Sequence, residues 1–139
     1  MNTTDTHEMR RRIEGARVAR LATVARDGRP HIVPITFAPT EDALYFAVDQ
    51  KPKRSSDLQR LRNIEANPAV SVLLDHYEDD WTQLWWVRVD GRARIVRDGA
   101  ELETAFTLLS RRYPQYRSAR PVGPAVVIEI ERMTGWSAS

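Results

Sequence analysis

The 139-residue sequence contains no cysteine. That excludes disulfides, thiolate nucleophiles, iron–sulfur clusters and every cysteine-based zinc site, and it fits a reducing compartment. Histidine is almost as scarce. His7, His31 and His76 stand in no metal-binding spacing, so a metal site would have to be built from carboxylates. No apolar run approaches the roughly 20 residues that cross a bilayer. The opening MNTTDTHEMRRRIEG has no apolar stretch of the kind a secretory signal carries. A cytoplasmic protein with no membrane partner is expected. There is no GxGxxG, no P-loop and no recognisable hydrolase motif, so any demanding chemistry would be borrowed from a bound organic cofactor.

What is present describes an ordinary globular chain. Hydrophobic residues make up 42% and charged ones 29%, with six glycines and eight prolines, which excludes collagenous and low-complexity classes. The length suits one domain over 1–139, opened by a helical arm over 1–15. Thr6–Glu14 reads as a helix, with Asp5 or Thr6 as cap and Gly15 as stop. Strands are expected at Arg17–Val24, His31–Phe37, Ala43–Val48, Ala69–Asp75, Leu84–Val96 and Ala125–Glu131, from alternation and β-forming residues. Arg26-Asp27-Gly28 reads as a hairpin turn. Pro34 suggests an edge strand and Gly91 a bulge or sharp bend. Helical spacing marks Ser55–Asn67 through Leu58, Leu61 and Ile64, and a helix capped by Asp98 through Leu102, Ala105, Phe106 and Leu109. Six strands on short turns predict a mainly β protein, a six-stranded antiparallel barrel with a few short helices.

Charge is concentrated. Between Lys51 and Arg62 stand five cations (Lys51, Lys53, Arg54, Arg60, Arg62) and one acid (Asp57), a local +4 against +2 for the whole chain. Lys53, Arg54, Ser55 and Ser56 fall at a predicted helix N-terminus, where unpaired N–H groups and the dipole favour an anion. These residues form a candidate phosphate cradle; the plainer alternative is a solvated basic helix with a serine cap. The acidic Asp75, Glu78, Asp79 and Asp80 lack calcium-loop spacing and read as a solvated turn. Trp85 and Trp86 are neighbours on one strand and must face opposite ways. One fills the barrel; the other needs cover from a ligand, a helix or a second subunit.

The ordered set Leu21-Ala-Thr-Val, Asp27-Gly-Arg-Pro-His, Val33-Pro, Leu44-Tyr-Phe, Lys53-Arg54, Asn67-Pro-Ala-Val-Ser-Val-Leu-Leu and Val87-Arg-Val-Asp-Gly91 resembles the FMN-binding split β-barrel superfamily. That superfamily holds pyridoxamine-phosphate oxidases and reductases that use coenzyme F420, a deazaflavin. Asp79-Asp-Trp, Leu84-Trp-Trp-Val-Arg-Val, Tyr113-Pro-Gln-Tyr116 and Gly123-Pro124 look like the small F420-associated branch. The resemblance implies a homodimer with the cofactor in a groove between protomers. It implies that the backbone of Val33, Pro34, Ile35 and Thr36 lines the ring, that Ala47 and Val48 follow the ribityl chain, and that Lys53 and Arg54, with Ser55 beside them, hold the phosphate. Trp86 would reach the cofactor from the partner subunit.

The sequence departs from the oxidases in two places. Its basic segment is longer, and Trp136 is followed only by Ser137-Ala-Ser139, without their substrate-binding arginine. F420 ends in a phosphodiester lactate and an acidic oligoglutamate tail, which the extra cations Lys51, Arg60 and Arg62 suit better than the compact phosphate of FMN. The expectation is an F420-dependent oxidoreductase that passes a hydride to a small organic substrate in an apolar pocket near Phe37 and Trp86. No catalytic side chain is singled out. The alternatives are an FMN enzyme of the same fold and a non-catalytic barrel that carries a cofactor or binds nucleic acid. The last is disfavoured, because the aromatics are not interleaved with the basic segment.

Overall fold

Short turns and alternating strands lay the chain down as one antiparallel sheet that curls on itself. The computed structural model describes residues 2–3, 5–48, 55–121 and 123–139. After β1 (Asn2–Thr3), α1 (Thr6–Gly15) starts where the Asp5 carboxylate accepts the Glu8 N–H at 2.8 Å, and it buries Met9 and Ile13 one turn apart. Strands β2 (Ala19–Val24) and β3 (Pro30–Ile35) form a hairpin. Gly28, at φ 89°, makes the turn, and the Asp27 carboxylate accepts the Arg29 N–H at 3.0 Å. Strands β4 (Ala38–Pro39) and β5 (Ala43–Ala47) follow, then α2 (Ser55–Ala66), β6 (Ala69–His76), a single 3-10 turn (Trp81–Gln83) and β7 (Trp85–Val96). Helices α3 (Gly99–Arg112) and α4 (Gln115–Ser118) lead into β8 (Ala125–Ser137). None of the described helices is long and apolar enough to cross a membrane.

The strand order is β3-β2-β6-β7-β8-β5-β4, every pair antiparallel, with β1 added to β8. The two edge strands, β3 and β4, are separated by only Thr36 and Phe37, so the sheet's two ends meet in the chain. That is a split barrel. Its interior holds Leu21, Phe37, Leu44, Phe46, Val72, Val89 and Ile128, all at most 1% exposed.

All six expected strands form. The count rises to seven along the sheet, plus β1, because two-residue segments also pair. β8 runs to Ser137, six residues past the expected end, since its second half pairs with Trp85–Asp90 of β7. Pairing across the sheet extends a strand through Arg132, Thr134 and Gly135, which alternation alone does not mark. Pro34 lies on an edge strand and Gly91 at a register shift, as their residue types suggest. One cap is different: Asp98 makes no side-chain capping bond, and Gly99, at φ 85°, turns the chain into α3 instead.

The end of α3 fastens the fold at a point the sequence does not announce. The Tyr113 hydroxyl accepts the Phe37 N–H at 3.1 Å and faces the carbonyls of Phe37 (3.0 Å) and Arg17 (2.9 Å). Arg112 donates to the carbonyls of Glu14 (2.7 Å) and Ala16, with its guanidinium 5.0 Å from the Phe37 ring. Helix α3 thereby holds both the α1–β2 link and the crossover between the sheet's edges.

Candidate functional site

Because side chains alternate along a strand, each strand that packs the barrel also presents a second row outward. On β2 that row contains Arg20 and Ala22, on β3 Ile32, on β6 Ser71, Leu73 and Asp75, and on β7 Trp86 and Arg88. The register sets them side by side: Ala22 opposite Ile32, Leu73 opposite Arg20 and Arg88, Asp75 opposite Trp86, and Trp86 opposite Trp136. Together they line an open groove of about 770 Å³. Ile32 is 66% exposed there, although apolar surface of that size is usually covered. Arg20 and Asp75, 3.4 Å apart, flank it.

The two adjacent tryptophans divide as their alternation requires. Trp85 packs partly against the core and also borders the groove, with Arg12 of α1 5.0 Å over its ring and His76 stacked on it at 6.3 Å. Trp86 is the residue left facing outward in the groove. Of the acidic residues read as a solvated turn, Asp75 belongs to β6 and Asp80 caps the 3-10 turn, accepting the Thr82 N–H at 3.1 Å. Among the described residues no cluster of three or more His, Asp or Glu side chains is arranged to hold a metal ion.

The segments expected to meet a ring lie at the barrel's open edge. Pro34 and Thr36 are exposed, Val33 is half-buried against the core, and Ile35 is buried, so Ile35 offers a ligand only its backbone. The Thr36 hydroxyl lies 3.1 Å from that of Tyr116. Ala47 is half-buried; Val48 is fully buried, its N–H donated to Pro124 at 2.9 Å. Phe37, near which a substrate pocket is expected, is completely buried in the core, so its side chain offers no surface within one protomer.

The basic segment separates into parts. Lys51, Lys53 and Arg54 lie outside the described residues, and Ser55 is placed only as the first residue of α2. Arg60 lies 5.7 Å over the Phe46 ring, next to the end of β5. Arg62 faces elsewhere and shares a depression of about 400 Å³ with Arg26 and Gln59. Sequence reasoning missed Ile32, Leu73 and Trp136 as groove residues. Alternation opposite Val33 could have found Ile32; the meeting of Trp86 with Trp136 depends on register.

Charge on the outer face adds a pH response. Asp90 is pushed up by burial, but the Ser71 hydroxyl, donating at 2.6 Å, and Arg88 and Arg132, each at 3.3 Å, hold its carboxyl below the ordinary carboxylate range. A carboxylate lowered in the fold adds stability above its unfolded value and loses it as pH falls through the folded one. Thermal melts from pH 5 to pH 3 should therefore show Asp90→Asn losing less stability than the wild type. The difference should be about 0.5–1 kcal/mol, since the site is partly exposed.

The curled sheet, with an apolar groove on its outer face, is the architecture of a split-barrel protein. The chain belongs to the pyridoxamine 5'-phosphate oxidase family, whose sequence profile matches residues 5–137. No curated protein matches it. Among solved structures it is similar to a conserved hypothetical protein of Mycobacterium tuberculosis, with 23% identity, 97% of this chain and 86% of the other covered, and a TM-score of 0.79. It is similar to a FAD-binding protein of Mesorhizobium loti at 27% identity, with 99% and 98% covered and a TM-score of 0.76. It also shares its fold with HutZ, a haem storage protein of Vibrio cholerae, at 17% identity, with 95% and 93% covered and a TM-score of 0.71.

Proposed function

We propose that the protein is a coenzyme F420-dependent oxidoreductase and works as a homodimer, with the deazaflavin in a groove completed by the second copy. The observation that carries this reading is the outer-face groove. Its volume, about 770 Å³, lies in the range of cofactor sites, and its walls are Ile32, Leu73, Trp86 and Trp136. Flat indoles and branched aliphatic chains suit a planar tricyclic ring, and Arg20 and Arg88 suit its polar edge. Covering the exposed Ile32 and Leu73 with a second protomer would remove the apolar surface a lone copy leaves in water.

Val33–Thr36 would meet the ring with the backbone of an edge strand, and Ala47 and Val48 would follow the ribityl chain. Lys53, Arg54 and Ser55 would take the phosphate, with Arg60 near it and Arg62 toward the acidic tail. When bound, the cofactor supplies a hydride to a small organic substrate. The chain's own residues orient the ring and keep water from it.

FMN is the second reading, supported by the flavin bound by the Mesorhizobium loti relative. Fluorescence titration with F420 and with FMN separates the two. Saturable binding of F420, tighter than that of FMN, is expected. Binding of neither would end the cofactor reading, and preference for FMN would move the protein to the flavin enzymes.

A further inference from the structure

Where β6 ends, its last residue, His76, lies at a rim between two cavities. It borders the apolar groove and also a polar pocket of about 390 Å³, whose walls include Glu78, Thr82 and Gln83. His76 Nε2 is 2.5 Å from a Glu78 carboxylate oxygen. An ionised carboxylate only accepts, so Nε2–H donates, and Nδ1 has no partner among the described residues. The other titratable groups on the groove wall are Arg20, Asp75, Tyr77 and Arg88. A guanidinium does not release its proton, a carboxylate paired with a cation has none to give, and a phenol releases its own only in alkali. An imidazole both holds and releases a proton near neutrality. The remaining charges nearby are matched: Glu8 of α1 with Arg11 and Arg12, Asp75 with Arg20, and Arg88 with Asp90.

We propose that His76 is the proton donor that completes reduction in the groove, with Glu78 as its positioning residue. The proposal rests on the oxidoreductase reading above, in which each substrate reduced needs a proton as well as a hydride. The hydride forms a bond to one atom of a polarised double bond, and the π pair moves to the other atom. The Nδ1–H of the protonated His76 ring gives its proton to that second atom, and the N–H pair stays on the ring. Two electrons thereby pass from the reduced deazaflavin to the substrate. Glu78 keeps Nε2 engaged, which leaves Nδ1 for the substrate. Solvent reaching the polar pocket returns a proton to His76 without entering the groove.

The test uses the full-length protein and pentafluorophenolate, a flat ring whose oxyanion stands in for the charge that the π pair leaves on the substrate. Fluorine NMR should show saturable binding that weakens as pH rises from about 6 to about 9, because the neutral ring has no Nδ1–H to donate. His76→Gln should weaken binding at the lower pH by about tenfold and abolish the pH dependence. Tyr77→Phe should leave both unchanged. In Glu78→Gln, ring nitrogen shifts should show that neutral His76 no longer keeps its proton on Nε2 alone, with a smaller loss of binding than in His76→Gln. Wild-type binding that ignores pH, equal binding in His76→Gln, or an equal loss in Tyr77→Phe would overturn the assignment. A titration with F420 separates this result from the cofactor reading. Uptake of F420 with phenolate binding indifferent to His76 would remove the donor and spare the cofactor. Phenolate binding that depends on His76, in a protein that takes up neither F420 nor FMN, would overturn the cofactor reading and leave the acid in place.

Discussion

Replacing Gly91 with alanine should destabilise the protein by about 3 kcal/mol and lower its melting temperature by on the order of 10 °C. A Cβ at this position would lie 2.3 Å from the Glu129 carbonyl oxygen and 2.9 Å from Ile128 Cγ2. The first obstacle is backbone in the adjacent strand, so no side-chain rotation relieves it. The residue sits where the β7–β8 register shifts between Asp90 and Gly91. The bulge lets one half of β7 pack the barrel beside Ile128 while the other half carries Trp86 and Arg88 onto the outer groove. A thermal melt checks this. A change of only a degree or two would mean that the two strands separate there at little cost.

The second large effect concerns binding. Trp86→Ala should weaken deazaflavin affinity by roughly 30- to 100-fold, about 2–3 kcal/mol, in line with a buried tryptophan anchor. The fold should survive, because Trp86 faces the groove and is absent from the buried core. Trp81, which is 67% exposed, is the control, and Trp81→Ala should leave the affinity unchanged. If the two variants behaved alike, the groove would not be where the ring sits. Sedimentation of Trp86→Ala also reads the dimer, since the same indole would lie under the second copy.

The fold was largely legible because its signals are local. Gly28 needs a positive φ, Pro34 tolerates only an edge, Gly91 marks a bulge, and Leu61 and Ile64 recur at helical spacing; each of these acts within a few residues. The site was less legible because it is made by register. Alternation announces that one of Trp85 and Trp86 faces outward, but Trp136 joins Trp86 only because the two ends of β7 and β8 pair. The burial of Phe37 is set in the same way by residues far along the chain, Tyr113 on its backbone and Arg112 on its ring. The phosphate cradle expected at Lys53 and Arg54 lies outside the described residues, and only Arg60 and the start of α2 bear on it.

In the proposed complex a deazaflavin lies along the edge strand and in the outer groove beneath a second copy of the chain. Hydrogen–deuterium exchange with and without F420 tests it most directly. Exchange should slow at Ile32–Thr36 and at Trp85–Arg88. Unchanged exchange at both segments, with protection confined to the polar depression around Glu8, Glu78 and Gln83, would contradict it.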